Sequence, residues 1–518
     1  MRLISPRTSA LVSALFALAW LPVLRKGCEG LRPGRLAATA GALAAGFVLL
    51  LTGLFHGSNT FRWHLLRHNK LLGTASYYAF AEPVDELSRA RWEQSSGAAN
   101  PVAPAPPGLA EASAGPRSNI LLIVVDTLRA DSLAAWGGPA RLMPQTNRLV
   151  ESSVVFTNMI SNASWTRPSV ASLFTGLLPE EHGAVDREYG LSEARVTVAE
   201  TLNSVGYETA ALVVNFAAVG RDAGFDQGFE QFEEIPGGGT AYARAEQVNQ
   251  AVQAWLALRS GSGSPDARPV FLYVHYLDPH PPYLSAGGLE AAQQALGATA
   301  SYWEIQRTAY EAQLIYLDGW IRPLIEAVRA ALPGPTAVLL TSDHGEEFGE
   351  HGEGGHGHSL YREVLAVPAL LNCDGIEPGR VDAPLSVRDL HAVLLRLALP
   401  DSCGARPWEG LRERTRRYAS VDTGKPYPIH RPYLERVFMR GVEEDGYFLM
   451  WSAYGSTVEL YDEERDPGQR RNLEREQPER VEAMTRSLEQ AVGTWVERVP
   501  AEHSGETQEL LRALGYIQ

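Results

Sequence analysis

The sequence predicts an α/β fold with a mostly parallel central sheet sandwiched by helices. Three observations predict it. The chain has 518 residues, 45% of them hydrophobic, which is enough for at least one large core. Short apolar runs alternate with segments of helix length, and polar residues follow directly where several of these runs end. A smaller C-terminal α+β subdomain and an N-terminal transmembrane anchor are expected in addition.

The predicted central strands are apolar along their whole length. Strands that helices cover on both faces have this pattern, because neither face meets water. The runs lie at residues 120–125, 210–214, 270–276, 337–340 and 367–371.

Polar residues follow the ends of four of these strands. Asp126 follows the first run, Asn215 the second, the Asp278 to His280 cluster the third, and Asp343 with His344 the fourth. Open α/β sheets bind ligands beyond the carboxyl ends of their strands. We therefore expect an active site at this edge of the sheet.

The predicted domain order is a membrane anchor at residues 1–58, a juxtamembrane region with a Pro/Ala-rich linker at 59–117, a catalytic domain at 118–405 and a C-terminal subdomain at 406–518. The anchor holds apolar runs at 9–24 and 36–55, and the second is near the ~20 residues that a bilayer span requires. Basic residues flank that run on both sides, so the positive-inside rule leaves its orientation open. In the C-terminal part, residues 447–451 and 458–461 are expected to be antiparallel strands and residues 478–496 a helix.

Charge and cysteine usage exclude several classes of protein. The formal net charge of −15 argues against a protein that binds nucleic acid through its phosphates, so no nucleic-acid partner is expected. An anionic substrate would then need a local positive site. The three cysteines form no CxxC pair, which argues against a thiolate zinc site, and the pairing of Cys373 with Cys403 stays open.

Thr166 is the first candidate for chemistry. Residues 164–176 begin with the cap-type Ser164, carry Pro168 in the first turn and close on Gly176, which predicts a helix. The N-terminus of that helix favours an anion or a developing alkoxide on Thr166. The alternative is that Thr166 only caps the helix.

Asp343 and His344 supply the second candidate element. Adjacent Asp and His at a strand end can reach one cation, and with Asp126 and Thr166 they make a four-ligand set. Oxygen and imidazole ligands suit Zn²⁺ or Mn²⁺, with Ca²⁺ or Mg²⁺ as alternatives. A divalent ion lowers the pKa of bound water from about 15.7 to about 7, and a threonine hydroxyl should respond similarly.

Several ordered motifs together resemble the sulfatase family of the alkaline phosphatase superfamily, over residues 118–473. They lie at residues 119–126, 166–179, 182–183, 206–210, 278–280, 341–345, 356–361 and 459–462. The resemblance implies an alkaline-phosphatase/sulfatase-like fold, metal ligation by Asp126, Asp343 and His344, and nucleophilic attack by Thr166. It also implies substrate or leaving-group contacts from His280 and His356. Further candidates for substrate binding are Arg167, Asn215 and His358.

The chain departs from the family pattern at the nucleophile. Sulfatases have Cys or Ser there, with Arg four residues later, and convert the first residue to formylglycine. This chain has Thr166 and Val170, so the aldehyde cannot form and phosphate esters are favoured over sulfate esters. Thr127 replaces the family's second Asp, and Asn215-Phe216 replaces a Lys/His pair, which favours one transition metal over calcium.

The leading hypothesis is a metal-dependent hydrolase of sulfate or phosphate esters with Thr166 as nucleophile. The first alternative is a membrane phospho-group transferase, because the threonine pattern is similar to phosphoethanolamine transferases and lipoteichoic acid synthases. The second alternative is a non-catalytic binding module. The expected partners are a small-molecule, glycan or lipid ester and the membrane. The resemblance suggests that the catalytic domain is extracytoplasmic. The oligomeric state stays open.

Overall fold

The computed structural model describes residue 109 and residues 117–261, 268–284, 287–400, 406–411, 416–423, 437–452, 457–491, 499–501 and 503–514. The predicted anchor and nearly all of the predicted linker lie outside these residues. Among the helices that are described, none combines the length and the apolarity needed to cross a bilayer.

Eighteen strands are described. They are β1 (Asn119–Val125), β2 (Val154–Phe156), β3 (Met159–Ile160), β4 (Tyr189–Gly190), β5 (Glu208–Val213), β6 (Gln231–Glu234), β7 (Val270–Tyr276), β8 (Thr336–Ser342), β9 (Glu347–Phe348), β10 (Gly354–Gly355), β11 (Ala369–Asn372), β12 (Gly379–Val381), β13 (Leu385–Ser386), β14 (Arg416–Thr423), β15 (Val437–Glu444), β16 (Tyr447–Ser452), β17 (Thr457–Asp462) and β18 (Val499–Pro500).

Twelve α-helices connect and cover these strands, with single 3₁₀ turns at Ala130–Ser132, Ala134–Trp136 and Arg221–Ala223. The α-helices are α1 (Pro144–Glu151), α2 (Thr166–Thr175), α3 (Pro179–His182), α4 (Val198–Ser204), α5 (Phe216–Val219), α6 (Ala245–Gly261), α7 (Gly288–Leu296), α8 (Tyr302–Ala331), α9 (Arg362–Leu365), α10 (Asp389–Leu397), α11 (Pro478–Ala491) and α12 (Gly505–Ala513).

The central sheet has eight described strands in the order β12-β2-β11-β8-β1-β7-β5-β6. Its middle is parallel, because β1 pairs in parallel with both β7 and β8, and β5 pairs in parallel with β6 and β7. Strand β11 is antiparallel to β8 and β2. The predicted α/β class with a mostly parallel sheet is confirmed, and each of the five predicted runs overlaps one of its strands.

Two apolar cores cover the two faces of this sheet. Residues of β1 alternate between them, with Leu122 and Val124 in the core that includes α2, and Ile123 and Val125 in the core that includes α8. Successive strand residues point to opposite faces, so the residue after Val125 points toward the α2 face. By the same alternation, Asn215 after β5 and Asp343 after β8 also point toward the α2 face. The polar residues at these strand ends therefore lie together beneath α2.

A second sheet, β14-β15-β16-β17, is fully antiparallel and packs beside the start of α2. Its inner face shares a buried cluster with Trp165, Leu360 and Tyr361 of the catalytic part. Strands β16 and β17 match the two predicted C-terminal strands, whereas β14 and β15 were not predicted. The described part of the C-terminal helix, α11, ends at Ala491, and the domain boundary after residue 405 stays a prediction.

Candidate active site

Thr166 is the first residue of helix α2. The preceding Trp165 has extended backbone angles (φ −160°, ψ 164°) and makes no side-chain cap, so the prediction that Ser164 caps the helix is wrong. The Thr166 hydroxyl lies instead 3.2 Å from Asp126 Oδ2 and 3.4 Å from His344 Nε2. Its side chain therefore faces the polar strand ends and does not cap the helix.

The three other predicted metal ligands surround this hydroxyl. His344 Nε2 lies 3.6 Å from Asp126 Oδ1 and 3.5 Å from Asp343 Oδ2. On the opposite side of the ring, His344 Nδ1 lies 2.8 Å from the carbonyl oxygen of Gly345, which can only accept a hydrogen bond. The ring proton is therefore on Nδ1, and the lone pair of Nε2 points at two carboxylates.

These donors fit a divalent cation. Asp126 Oδ1 and Asp343 Oδ2 are buried and make no hydrogen bond with any described residue. A lone pair aimed at two carboxylate oxygens is repulsive unless a cation lies between them. Ligand bonds of about 2.0 to 2.2 Å in a tetrahedral site place neighbouring ligand atoms about 3.3 to 3.6 Å apart. Four separations among the predicted ligands, 3.2 to 3.6 Å, are close to that range, with Asp126 Oδ2 facing Thr166 and Asp126 Oδ1 facing His344.

The two carboxylates differ in protonation because their neighbours differ. Burial alone would raise the pKa of Asp126, but its contact with His275 and its electrostatic interactions with His280 and His344 hold that pKa well below its usual value. Burial and the charge of Asp126 raise the pKa of Asp343 well above its usual value. The centre thus holds one firmly ionised carboxylate beside one that needs a cation to ionise.

His275 is a buried member of this cluster that was not predicted. Its Nε2 lies 3.5 Å from Asp126 Oδ2, and Asp126, His275 and Asp343 can each bring one ligand atom within 4.8 Å of the others. Because His275 lies inside an apolar run, the sequence predicts only that it is part of a buried strand. Its position two residues after Tyr273, on the α2 face, is the signal that could have identified it.

Asn215 lies beside the nucleophile. Its amide nitrogen donates to Asp126 Oδ2 at 2.8 Å and lies 3.3 Å from Thr166 Oγ1. Its buried Oδ1 atom makes no hydrogen bond within the described ranges of the chain. The amide therefore orients the carboxylate and the hydroxyl, and its oxygen is available to a ligand.

Two further predicted residues, His280 and His356, lie together on one side of the centre. Their ring centroids are 4.9 Å apart, and His356 lies 4.5 Å from the ring of His344. Burial lowers the pKa of His280 to about 4 and that of His356 well below its usual value. Both imidazoles are therefore neutral at pH 7 before an anionic substrate binds.

Glu346 contacts the Nδ1 side of the His356 ring and was not predicted. Its carboxylate oxygens lie 3.1 and 3.3 Å from His356 Nδ1, and burial raises the pKa of Glu346 to about 7. The pair can therefore hold one proton at neutral pH and present it through the imidazole. An acidic residue two positions after His344 in a Gly-rich loop gives no sequence signal that separates it from its solvated neighbours.

Arg167 does not bind the substrate in this arrangement. Its guanidinium is 1% exposed and donates to five backbone carbonyls, those of residues 186, 187, 189, 217 and 218. The prediction for Arg167 is corrected, because consecutive helical residues point about 100° apart and its side chain leaves the site on another face of α2. Arg187 has an electrostatic effect on the site, because its charge adds to the burial that lowers the pKa of His356.

His358 follows His356 by two residues in the glycine-rich loop. Its Nδ1 is 3.2 Å from the carbonyl oxygen of His356, and its Nε2 is 3.4 Å from Glu347 Oε2. His351, from the same loop, stacks on Tyr361 with ring centroids 3.8 Å apart. Both histidines are buried, and substrate binding by His358 stays a prediction.

Comparison with known proteins identifies the family of this chain. The sulfatase family model matches residues 118–399. Choline-sulfatase of Rhizobium meliloti (strain 1021) is 24% identical over 360 residues, which cover 56% of this chain and 70% of the relative. Human (Homo sapiens) arylsulfatase A is 28% identical over 330 residues, covering 54% of this chain and 64% of the relative.

A solved structure shares the fold at lower identity. The phosphonate monoester hydrolase of Agrobacterium radiobacter is 18% identical, with a TM-score of 0.54, and the match covers 72% of this chain and 95% of that protein. The family match spans more than half of the chain and includes Asp126, Thr166, His280, Asp343 and His356. The chain belongs to the sulfatase family of hydrolases that act on sulfate or phosphate esters.

Proposed function

We propose that this chain is a metal-dependent hydrolase of phosphate monoesters or diesters and that Thr166 is its nucleophile. The position of the Thr166 hydroxyl, 3.2 Å from Asp126 Oδ2 and 3.4 Å from His344 Nε2, carries the proposal. An unreactive threonine has no physical reason to be buried at the meeting point of two carboxylates and an imidazole.

The side chains around Thr166 favour phosphorus over sulfur. A formylglycine hydrate can expel sulfate through its second hydroxyl, whereas a threonine has only one and needs a separate attack on its ester. Val170, at the position of the family's arginine, is fully buried in the core. Nothing at that position replaces the arginine, which favours a covalent phospho-threonine that water can hydrolyse.

The first step forms one bond and breaks one. A divalent cation held by Asp126, Asp343 and His344 would lower the pKa of the Thr166 hydroxyl, so that its proton is lost to solvent before attack. Thr166 Oγ1 then bonds to phosphorus while the bond from phosphorus to the ester oxygen breaks. The start of α2 directs its backbone N–H groups toward the negative charge.

His356 and Glu346 serve the leaving group. The departing oxygen takes the Nε2 proton of the neutral His356 ring, and His356 Nδ1 takes up the proton that Glu346 holds, so the ring stays neutral. His280, 4.9 Å away between ring centroids, is placed to contact the same oxygen. A pKa of about 7 for Glu346 suits this role near neutral pH.

Water completes the cycle in a hydrolase. It attacks the phosphorus of the phospho-threonine, breaks the bond to Oγ1, and loses a proton to the Glu346 and His356 pair. A transferase differs only in using a lipid or glycan hydroxyl at this step. The Thr166 site is common to both, so product analysis in the presence of acceptor alcohols separates them.

We also propose a membrane-anchored, extracytoplasmic protein acting on small-molecule, glycan or lipid esters. The apolar runs before residue 58 support the anchor. Cys373 is disulfide-bonded, and its partner lies outside the described residues. A structural disulfide is typical of an oxidising compartment.

The test uses the purified full-length chain with aryl phosphomonoester, phosphodiester and sulfate substrates across a series of divalent metals. We expect phosphoester turnover that requires Zn²⁺ or Mn²⁺ and disappears in Thr166→Ala. Sulfate turnover that survives in Thr166→Ala would remove Thr166 from the mechanism. A phosphate label trapped on Thr166 after acid quenching would identify the covalent step directly.

A further inference from the structure

We infer that His275 is an additional ligand of the catalytic cation and that it replaces the carboxylate missing at Thr127. This inference rests on the metal centre of the proposed function. His275 lies in the central strand β7, so this strand would help to determine which metal ion binds. The predicted consequence is a preference for Zn²⁺ or Mn²⁺ over Mg²⁺ and Ca²⁺.

The first argument is the position of the ring. His275 is fully buried, and its Nε2 makes no short hydrogen bond within the part of the chain that the structure describes; Asp126 Oδ2 lies 3.5 Å away. Asp126, His275 and Asp343 bring ligand atoms within 4.8 Å of one another. A buried imidazole nitrogen that faces carboxylates at these distances is typical of a metal ligand.

The second argument is that the ring is held in place from behind. His275 Nδ1 lies 2.9 Å from the hydroxyl oxygen of Tyr273, two residues earlier on the same face of β7. Tyr273 is itself packed edge-on against Phe174 of α2, with ring centroids 5.0 Å apart. Metal-binding histidines commonly use their second nitrogen in such a bond, which fixes the ring before metal binds.

The third argument is the conformation of Thr127. Its hydroxyl donates to the Asp126 carbonyl oxygen at 2.7 Å, and its backbone N–H donates to Asp343 Oδ1 at 3.3 Å. The side chain is therefore turned away from the cation position, and this residue contributes no ligand. Exchange of a carboxylate for an imidazole disfavours Ca²⁺ and Mg²⁺, which prefer oxygen ligands.

The competing role for His275 is a hydrogen bond to Asp126 without contact to the cation. Two substitutions separate these roles. His275→Gln keeps a donor of similar reach but removes the imidazole ligand, whereas His275→Asp restores a carboxylate near the position where the family has one. Tyr273→Phe keeps His275 and removes only the hydroxyl behind it.

The experiment measures metal binding in the full-length chain after chelation, by competition with a coloured chelator for Zn²⁺ and Mn²⁺ and by direct titration for Mg²⁺ and Ca²⁺. We expect His275→Gln to weaken Zn²⁺ binding at least about tenfold and Mg²⁺ binding by less than about threefold. His275→Asp should shift the preference toward Mg²⁺ or Ca²⁺. Tyr273→Phe should weaken Zn²⁺ binding about tenfold.

His391→Gln is the matched control. His391 is also buried, and its Nδ1 bonds the Phe174 carbonyl oxygen at the other end of α2, so its loss tests the general effect of removing a buried histidine. It should leave metal affinity unchanged. Zn²⁺ affinity in His275→Gln equal to that of the unsubstituted chain would overturn the inference.

Two further measurements keep the result decisive. If His275→Gln does not fold, X-ray absorption of the zinc-loaded unsubstituted chain decides: two imidazole ligands support the inference, and a single one overturns it. Asp343→Asn tests the centre itself. Loss of metal in Asp343→Asn with normal binding in His275→Gln rejects only the role of His275, whereas normal binding in both rejects the proposed metal centre.

Discussion

The hydroxyl oxygen of Thr166 lies 3.4 Å from Nε2 of His344, although 178 residues separate them in the sequence. One hydrogen bond helps to fix this relationship, because the Ser169 hydroxyl, one turn into α2, donates to the Asp343 carbonyl oxygen at 2.6 Å. The start of the helix and the end of β8 are thereby joined. The nucleophile is positioned by the fold before substrate binds.

Thr166→Ala is expected to lower kcat for phosphoester hydrolysis by on the order of 10⁴-fold or more, because it removes the attacking atom. Thr166→Ser, which keeps an oxygen at the same position, should retain measurable turnover. Steady-state kinetics with one aryl phosphodiester measure both.

Metal content and the melting temperature of each Thr166 variant are the controls. Both should stay close to those of the unsubstituted chain, because the other proposed protein ligands remain in Thr166→Ala. An alanine variant that keeps full activity would contradict the assignment of the nucleophile, whatever its metal content.

Asp343→Asn should lower metal affinity by more than about 100-fold and abolish turnover, because loss of a ligand exceeds the 10- to 100-fold cost of losing an outer partner. Chelation of the unsubstituted chain should have the same effect, and added Zn²⁺ or Mn²⁺ should restore activity. Metal analysis paired with kinetics checks this. Full activity after exhaustive chelation would contradict it.

Strand ends were the most predictable part of the site. Asp126, Asn215 and Asp343 follow apolar runs, and parallel strands bring such residues to one edge of a sheet. The place of His275 two residues after Tyr273 could assign it to the α2 face, but its partners follow β1 and β8, and the pattern within one strand does not show them. Glu346 was missed for a similar reason, since its function depends on how the loop folds to place His356 beside it.

Arg167 shows the opposite error. Its place beside Thr166 in the sequence predicted a nearby role, but the helical rotation between consecutive residues turns it toward the backbone of residues 186–189 and 217–218. Strands β14 and β15 were missed because polar and charged residues interrupt their apolar pattern. Their burial comes from packing against the catalytic part, which no local pattern contains.

Glu346→Gln should lower kcat for substrates with poor leaving groups by about 10²-fold and affect activated aryl esters much less, because an activated group needs no proton. Burial raises the pKa of Glu346 to about 7, so a role as proton source predicts activity that falls above that pH. This limb of the pH profile should disappear in Glu346→Gln. Glu347→Gln, one residue further along the loop, is the matched control, and an equal loss for every leaving group would contradict the role.

Glu180→Ala should destabilise the fold by about 3 kcal/mol, because it leaves the Arg440 guanidinium buried without its carboxylate. The two groups are 2.7 Å apart and at most 4% exposed, and they join α3 to β15. Urea unfolding measures the effect. The double variant Glu180→Gln with Arg440→Met should recover much of the loss, and a single variant as stable as the unsubstituted chain would contradict the prediction.

Acid sensitivity should come partly from His391. Burial lowers its pKa from 6.5 to about 4, so the folded state favours the neutral ring. The stabilising contribution is therefore complete above pH 6.5 and is lost as the pH falls toward 4. At about 1.4 kcal/mol per pH unit, the free energy of unfolding should drop by roughly 3 kcal/mol across that window.

His391→Gln removes this titration while an amide can still donate to the Phe174 carbonyl oxygen. The variant should be less stable than the unsubstituted chain at pH 7.5 because a buried ring is lost, yet its stability should fall less steeply toward pH 5. Urea unfolding at both values gives the two slopes. His182, whose pKa burial lowers to about 3, still titrates in the variant, so only the difference between the slopes belongs to His391. Identical slopes would mean that the folded state accommodates a charged His391 ring, in contradiction to its burial against α2.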